Sequence, residues 1–347
     1  MKHKHYLFPV VALLMLSACE TATTPPNNPI TVVPSTRTLF LANEGSYGSN
    51  NSSLDAILFH HDSTGYDTIL NHGVLTGMGE ANDILIAGNR VIVLDEYSNA
   101  IHIVDADSLR PEAVIPMGTD GPNKMALIGP NLLMVTRRNQ TSAAIIDLTS
   151  NTIVDTIGLG EPSIAVAVLN NKAFLTGGTY GGTGHLHVID LSTRHQIASN
   201  TLLSGPERAV ADSTSGQIVI ASDGIYQTVA GRIYWVNATT NALVDSANAV
   251  NDSATITFTT GGRVSLIENG TLLALDNVNH SIGAPILLSS KTVYFEGYYD
   301  AATNAYYMGN AGNFVNAGTL DAYNASTAAL EWSRPTGIAP GHFAFYH

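Results

Sequence analysis

Residues 143–157, AAIIDLTSNTIVDTI, contain two apolar runs separated by a short polar turn. Both runs are rich in Ile, Val and Ala, and β-branched residues favour strands. The Asp that ends the first run has a side chain suited to hydrogen-bonding the backbone of its own turn, so the segment predicts two adjacent antiparallel strands. Other strands end in the same way at Asp105, Asp190, Asn237 and Asp276. We interpret these residues, together with Asp147, as turn formers and not as catalytic carboxylates.

The same unit recurs along the chain with a period of about 44 residues. A loop of the form Gly-Glu or Gly-Pro opens each unit, and four short strands follow it. This loop begins at Gly79, Gly121, Gly160 and Gly205, with degenerate versions near Asn251, Ser290 and Ala339. Seven units of four strands are typical of a β-propeller. The predicted fold class is therefore all-β, a seven-bladed β-propeller.

The two ends of the repeat region predict how the ring closes. The first unit lacks an inner strand, because residues 38–42 already match a second strand, whereas residues 341–347 match an inner strand. We expect this C-terminal strand to complete blade one, which would close the ring and protect both sheet edges. The predicted organisation is a signal peptide at 1–18, a tether at 19–37 and one propeller at 38–347.

The N-terminal residues have the pattern of a secretory signal. Lys2 and Lys4 precede an apolar run at 6–16, which is too short to span a bilayer. The following Leu-Ser-Ala-Cys at 16–19 resembles a bacterial lipobox, in which the Cys is lipidated and begins the mature chain. We predict lipidation at Cys19 and a bacterial outer-membrane lipoprotein, held to the membrane only by its lipid anchor. Whether it faces the surface or the periplasm stays open.

Composition argues against several classes of protein. The chain has 15 Lys and Arg against 28 Asp and Glu, a formal net charge of −13, which argues against a nucleic-acid partner. Apolar residues make up 45 % of the chain, too many for an intrinsically disordered protein. The single Cys excludes an internal disulfide and a CxxC site.

The loops between second and third strands are long for hairpins and predict a ligand-binding face. Five of them carry one aromatic residue among Gly, Ser and Asn, a composition typical of binding surfaces. The alternative is that each ring packs only on its own loop. The predicted ligand-binding residues are Glu44, Tyr47, Asn50, Asp95, Tyr97, Arg137, Arg138, Tyr180, Tyr226, Asn313 and Phe314.

Signals for catalysis and for metal binding are weak. The chain contains none of the Gly-x-Ser-x-Gly, His-Glu-x-x-His or phosphate-loop motifs. Histidine pairs at 60–61 and at 185 and 187 lie in or beside third strands, where ordinary strand positions are commoner than metal ligands. Glu44, Asp95 and Asp223 resemble the channel-cation ligands of propeller lactonases, but nothing in their spacing requires a cation. We therefore expect no catalytic residues, no metal, no cofactor and no enzymatic activity.

Residues 43–54, NEGSYGSNNSSL, resemble the opening of YncE-like propeller lipoproteins from Bacteroidetes-type bacteria, and the resemblance extends through the repeats. Some members of that group bind cobalamin and deliver it to a TonB-dependent outer-membrane transporter. The resemblance implies a protein that captures a small molecule, such as a corrinoid or another nutrient, for such a transporter. Two alternatives stay open: an envelope scaffold that docks another protein, and a hydrolase or lyase that uses a channel cation.

The lipobox generates a direct test. Cys19→Ser removes the thiol that would carry the acyl chains, so the variant should appear in soluble fractions or remain unprocessed. Cell fractionation and detergent partitioning of the wild type and the variant measure this. Membrane retention of the variant equal to that of the wild type would contradict the prediction.

Overall fold

The computed structural model describes residues 37–62, 65–178, 183–202, 205–224, 229–249, 256–261, 264–268, 270–287 and 294–346. Every regular element within these ranges is a β-strand. The same ranges contain no helix long and apolar enough to cross a membrane. Of the predicted functional residues, Cys19, Tyr180 and Tyr226 lie outside the described residues.

Twenty-eight strands form seven blades of four, as the repeats predict. The inner strands are β4 (Ala81–Ala87), β8 (Pro122–Gly129), β12 (Ser163–Leu169), β16 (Arg208–Asp212), β20 (Ile256–Gly261), β24 (Tyr294–Asp300) and β28 (Pro340–Tyr346). The second strands are β1 (Arg37–Asn43), β5 (Arg90–Asp95), β9 (Leu132–Arg137), β13 (Lys172–Gly177), β17 (Gln217–Ser222), β21 (Leu266–Glu268) and β25 (Ala305–Asn310).

The outer half of each blade continues the antiparallel order. The third strands are β2 (Ser52–Asp62), β6 (Ala100–Asp105), β10 (Ser142–Asp147), β14 (Gly184–Asp190), β18 (Arg232–Asn237), β22 (Thr271–Asp276) and β26 (Ala317–Asn324). The outermost strands are β3 (Gly65–Met78), β7 (Arg110–Pro116), β11 (Thr152–Gly158), β15 (His195–Leu202), β19 (Leu243–Asn248), β23 (Ser281–Leu287) and β27 (Leu330–Ile338). The protein is therefore a seven-bladed β-propeller.

The C-terminal strand closes the ring, which confirms the prediction. β28 pairs antiparallel with β1, so blade one consists of β28, β1, β2 and β3. Phe343 lies opposite Leu41 and Phe345 opposite Leu39, and both Phe side chains are buried. Gly309 allows the start of β28 to pass close to β25, because a Cβ atom there would lie 2.2 Å from the carbonyl oxygen of Pro340.

The core consists of apolar layers between neighbouring blades. Successive strand residues point to opposite faces, and in a propeller both faces of a blade meet a neighbour. In β9, Leu133 and Val135 pack toward blade two, whereas Met134 packs toward blade four. This two-sided burial explains why the inner halves of the blades are almost continuously apolar in sequence.

Blades six and seven depart from the simple pattern of seven separate sheets. β20 and β24 pair in parallel, with Thr259 opposite Gly297, which joins these two blades into one eight-stranded sheet. The inner strands of a propeller converge around its channel, and these two approach closely enough to hydrogen-bond.

The turns after the third strands confirm the role predicted for their Asp and Asn residues. An Asp147 Oδ1 atom accepts the Thr149 backbone N–H at 2.7 Å, and Asp190 accepts those of Ser192 and Thr193, both at 2.9 Å. Equivalent bonds form at Asp105, Asn237 and Asp276. These backbone donors hold the pKa of Asp147 and of Asp190 below its usual range.

Ring closure predicts the effect of ending the chain at Ala339. This truncation exposes two sheet edges and removes two buried Phe side chains, each worth about 1.5–3 kcal/mol of stability. The truncated protein should melt well below the full chain and form larger species, as measured by thermal denaturation and size-exclusion chromatography. A chain lacking only His347 is the control. A monomeric truncation with an unchanged melting temperature would show that β28 does not close the ring.

Candidate functional site

The strand that closes the ring carries a buried histidine held by two carboxylates. His342 is the third residue of β28 and is almost fully buried. Its Nδ1 atom lies 2.9 Å from Oε2 of Glu296 in β24, and its Nε2 atom lies 2.9 Å from Oε1 of Glu44, which follows β1. The imidazole therefore joins blade seven to blade one at the channel.

The surroundings of this histidine favour its charged form. Burial by itself would lower the pKa of His342, but the charge of Glu296 and hydrogen bonds to Glu296 and Glu44 raise this pKa above its usual value. Burial would likewise raise the pKa of Glu296, whereas His342, Lys124 and Arg208 lower it to about 2. Both shifts favour an imidazolium beside a carboxylate.

Charged side chains from other inner strands face the same channel. Asp83 is the third residue of β4, Lys124 the third of β8 and Arg208 the first of β16. With Glu296 and His342 they line a cavity of about 190 Å³. Each inner strand begins at the same end of the channel, so the first residues of these strands lie at similar depth.

The sequence did not predict these channel residues, because the ligand-binding residues expected from it belong to the loops between second and third strands. A signal was present in the repeats: Lys124, Arg208 and His342 each stand three positions after the first residue of a unit's loop, and Asp83 stands four positions after. Ionisable residues recurring at one place in otherwise apolar strands indicate a shared location near the channel.

The channel opens between loops from several blades. The strands of a blade alternate in direction, so two sets of loops lie at the same end of the channel: the loops before the inner strands and the loops between second and third strands. We call this end of the channel the mouth. Arg138 lies there, as predicted from its loop, with Nε 3.3 Å from Oε1 of Glu96 and Nη2 3.1 Å from Oε2 of Glu207. This arginine links the loops of blades two, three and five.

Glu80 adds an acid at the mouth that titrates near neutral pH. It belongs to the loop before β4 and is partly buried. Burial, followed by the charges of Glu44 and Glu96, raises its pKa to about 7. A carboxyl group of this kind in a cleft is suited to proton transfer or to pH-dependent binding.

Three predicted aromatic residues lie at one side of the mouth. Tyr47 and Phe314 line a small pocket of about 190 Å³ together with Glu44 and Glu80. Tyr97 packs edge-to-face on Tyr47 with ring centroids 5.4 Å apart. These rings therefore make contact between blades, and do not simply pack on their own loops. Tyr47 is 87 % exposed, Tyr97 43 % and Phe314 41 %.

Two predicted ligand-binding residues have buried structural partners instead. The Asp95 carboxylate is fully buried and accepts the backbone N–H groups of Gly79 and Glu80 at 3.0 and 2.9 Å, with its pKa lowered to about 2 against the cost of burial. Arg137 is buried with Nη1 2.7 Å from Oδ2 of Asp120. Both residues end second strands, where their side chains point inward and hold the mouth loops in place.

Two predicted Asn residues occupy turn positions at the exposed surface. Asn50 has a φ of 47°, in the left-handed region that Asn tolerates well. The Asn313 Oδ1 atom accepts the backbone N–H groups of Val315 and Asn316 at 3.1 and 2.9 Å. Asn313 thus fixes the turn that presents Phe314.

The histidine pairs singled out from the sequence show no metal geometry in the described residues. His185 and His187 both contact Glu161, with nitrogen–oxygen distances of 3.0 and 2.6 Å. At 60–61 the structure describes the strand but not the side chains. Within the described ranges, no group of three or more His, Cys, Asp or Glu side chains is arranged to hold a metal ion.

Comparison with known proteins identifies the fold but no family. No protein-family model and no curated protein sequence matches the chain. Among solved structures, hydrazine synthase of Kuenenia stuttgartiensis superposes with a TM-score of 0.63 and 13 % identity, over 76 % of this chain and 89 % of that chain. The dihydro-heme d1 dehydrogenase NirN, in complex with DHE, gives a TM-score of 0.55 and 12 % identity, over 89 % and 74 %.

These comparisons correct one expectation and limit another. The expectation that the protein is not an enzyme is wrong as an inference, because the solved propellers it resembles are a synthase and a dehydrogenase. At 12–13 % identity the likeness shows the fold alone, so neither activity is transferred to this chain. The resemblance to YncE-like lipoproteins is supported only at the level of the propeller fold.

The His342 contacts predict a pH-dependent contribution to stability. The pKa of His342 is higher in the folded protein than its ordinary value of 6.5, so protonation of His342 stabilises the fold. This contribution is fully present below about pH 6.5 and is lost as pH rises through the folded-state pKa. The pKa of Glu296 is lower in the folded protein than its ordinary value of 4.5, so ionisation of Glu296 stabilises the fold above about pH 4.5. This contribution is lost as pH falls toward 2. His342→Gln should therefore destabilise most between these limits, by about 3–5 kcal/mol, since it removes the cation that hydrogen-bonds two largely buried carboxylates, Glu44 and Glu296.

Urea denaturation of the wild type and His342→Gln across this pH range measures the difference. His72→Gln, at an exposed histidine 3.5 Å from Asp55, is the control and should cost less than about 1 kcal/mol. A His342→Gln deficit that stays constant from acid to alkaline pH would contradict the assignment of a charged imidazole.

Proposed function

We propose that this protein is a membrane-tethered binding protein that takes up a corrinoid or a similar macrocycle at the mouth of its propeller. The observation that carries the proposal is the group of exposed rings, Tyr47, Tyr97 and Phe314, beside the acidic pocket of Glu44 and Glu80. The proposal concerns binding, and it leaves open whether the ligand is released or chemically changed.

Exposed aromatic rings are costly in water unless something covers them. Rings grouped at one edge of a concave surface, among polar loop atoms, are typical of ligand-binding sites. The loop that carries Tyr47 is held to the loop that carries Phe314 by a hydrogen bond of 2.9 Å from Ser46 Oγ to the Phe314 carbonyl oxygen. This bond supports a mouth whose rings keep their relative positions before a ligand arrives.

The size and chemistry of the mouth suit the edge of a large ligand. A pocket of about 190 Å³ is too small for a whole macrocycle, so the ring system would lie across Tyr47, Tyr97 and Phe314. The amide groups around a corrinoid are N–H donors, and the carboxylates of Glu44 and Glu80 are acceptors. One structural neighbour is named as a dihydro-heme d1 dehydrogenase, and haems and corrinoids are both built from four linked five-membered rings.

The cellular part of the proposal comes from the sequence. The lipobox that ends at Cys19 and the Pro-containing tether support a protein anchored to the outer membrane. The resemblance of residues 43–54 to YncE-like lipoproteins supports a TonB-dependent transporter as the partner that receives the ligand.

Binding of cyanocobalamin to the full chain in detergent tests the proposal. Tyr47→Ala and Tyr97→Ala should each weaken binding by about thirtyfold or more, since truncating an aromatic anchor costs about 2 kcal/mol. Their melting temperatures should change little, because these rings pack at the surface. Isothermal titration calorimetry gives the affinities.

Val278→Ala is the matched control. Val278 is 75 % exposed in the turn between β22 and β23, at the opposite end of the channel from the mouth, so its truncation should leave binding unchanged. Failure of the wild type to bind cyanocobalamin would reject the corrinoid class. Normal binding by both Tyr variants would reject the mouth as the site.

A second candidate function, docking of another envelope protein, is favoured by one further observation. Val315 follows Phe314 and is 64 % exposed, which extends the apolar surface beyond the pocket. Pull-down of a specific envelope protein that Val315→Asp abolishes, with cyanocobalamin binding absent, would favour docking over small-molecule binding.

A further inference from the structure

A buried lysine and a partly buried arginine in the channel cavity have N–H donors that their neighbours leave unused. Lys124 is buried, and its ammonium group donates to the backbone and side-chain oxygens of Asn82, the latter at 3.3 Å. Both acceptors are neutral, and a lysine has three donors. Lys124 therefore has no direct counter-ion among the described residues and has one donor available to the cavity.

Arg208 faces the same cavity and is also incompletely paired. Its Nη1 atom donates to the carbonyl oxygen of Glu207 at 3.2 Å. Its Nε atom lies 3.6 Å from Oε1 of Glu296, which is too far for a hydrogen bond, and it has no hydrogen-bond acceptor among the described residues. Burial first, and the charge of Arg208 second, lower the pKa of Lys124, so the two cations are close enough to repel.

The carboxylates of the cavity are already engaged. Asp83 accepts the backbone N–H of Met125 at 2.7 Å, and burial raises its pKa. Glu296 is held by His342 at 2.9 Å, and Glu207 by Arg138 at 3.1 Å. Each of these carboxylates therefore has a hydrogen-bond donor already, whereas Lys124 and Arg208 keep N–H groups that no described residue accepts. A ligand that binds between these two cations is expected to carry negative charge.

The apolar part of the cavity wall limits the size and polarity of the part of the ligand that does not carry the charge. Small apolar residues of β12 and β16, Ala165, Val166, Ala209 and Val210, form the side of the cavity next to Arg208. The volume of about 190 Å³ is somewhat larger than an apolar cavity of about 150 Å³ that is known to hold benzene. A ligand with a short apolar body fits this space.

We propose that the channel cavity is a binding site for a small monocarboxylic acid, whose carboxylate contacts Lys124 and Arg208 and whose apolar body lies against β12 and β16. This site is separate from the mouth pocket, and the inference does not depend on the proposed binding of a macrocycle. An anion between the two cations would relieve their repulsion and complete the hydrogen bonding of Arg208.

Calorimetric titration of the full chain in detergent with acetate, propionate and butyrate tests the site without any mutation. Each added methylene that enters the apolar part should strengthen binding about fourfold, so butyrate should bind about fifteenfold more tightly than acetate. Inorganic phosphate, which has negative charge but no apolar body, should bind more weakly than butyrate. Butyrate that produces no binding heat, equal affinities along the series, or phosphate binding as tight as butyrate would each overturn the proposal.

Variants locate the site. Arg208→Gln and Lys124→Gln should each weaken butyrate binding by about tenfold or more, since each removes a charge-assisted hydrogen bond. Arg194→Gln is the control, because Arg194 pairs with Asp155 at 2.8 Å on the exposed surface, and it should bind as the wild type does. Butyrate affinities of folded Arg208→Gln and Lys124→Gln equal to that of the wild type would overturn the proposal. If these two variants do not fold, the acid series with the wild type decides.

Discussion

The antiparallel pairing of β28 with β1 is the constraint on which the rest of the structure depends. It joins the last strand of the chain to the first strand of the ring, and it buries Phe343 and Phe345 in the layer between blades seven and one. The same seven residues bring His342 between Glu44 and Glu296. Ring closure and assembly of the channel site therefore depend on the same strand, because β28 pairs with β1 and also carries His342.

The channel and the layers between blades are built from different interactions. Between blades, alternating Ile, Leu and Val residues exclude water and need no specific partners. In the channel, buried charges are costly unless each has a partner, so Glu44, Glu296 and His342 depend on one another. Lys124 and Arg208 are the exceptions in this network, since Lys124 donates only to neutral oxygens of Asn82 and Arg208 Nε has no hydrogen-bond acceptor among the described residues.

Much of the fold could be predicted from the sequence, because a propeller repeats its local pattern. The Asp147 turn could be predicted because its hydrogen bond joins residues two positions apart. The closing strand could be predicted by counting strands, since the first unit lacks an inner strand before residue 38 and an apolar strand stands at the end of the chain. The pairing of β20 with β24 could not be predicted, since it depends on how closely two strands approach in space.

The site was predicted less well, because the sequence does not show whether a side chain near a loop points into the mouth or into the blade. Asp95 and Arg137 stand next to mouth loops in sequence, but they end strands and point inward to hold backbone and neighbouring side chains. Tyr47, Tyr97 and Phe314 stand in the loops themselves and do reach the mouth. The channel charges come from strands of different repeats, so only the closed ring brings them together.

Hydrogen–deuterium exchange of β28 in the full chain tests the central claim most directly, namely that this strand closes the ring and supports the channel. Amides of residues 341–346 should exchange as slowly as those of central strands such as β9 and β13, because opening β28 would require the ring to unfold. Rapid exchange of β28, with β9 and β13 still protected, would show a frayed terminus and contradict the account.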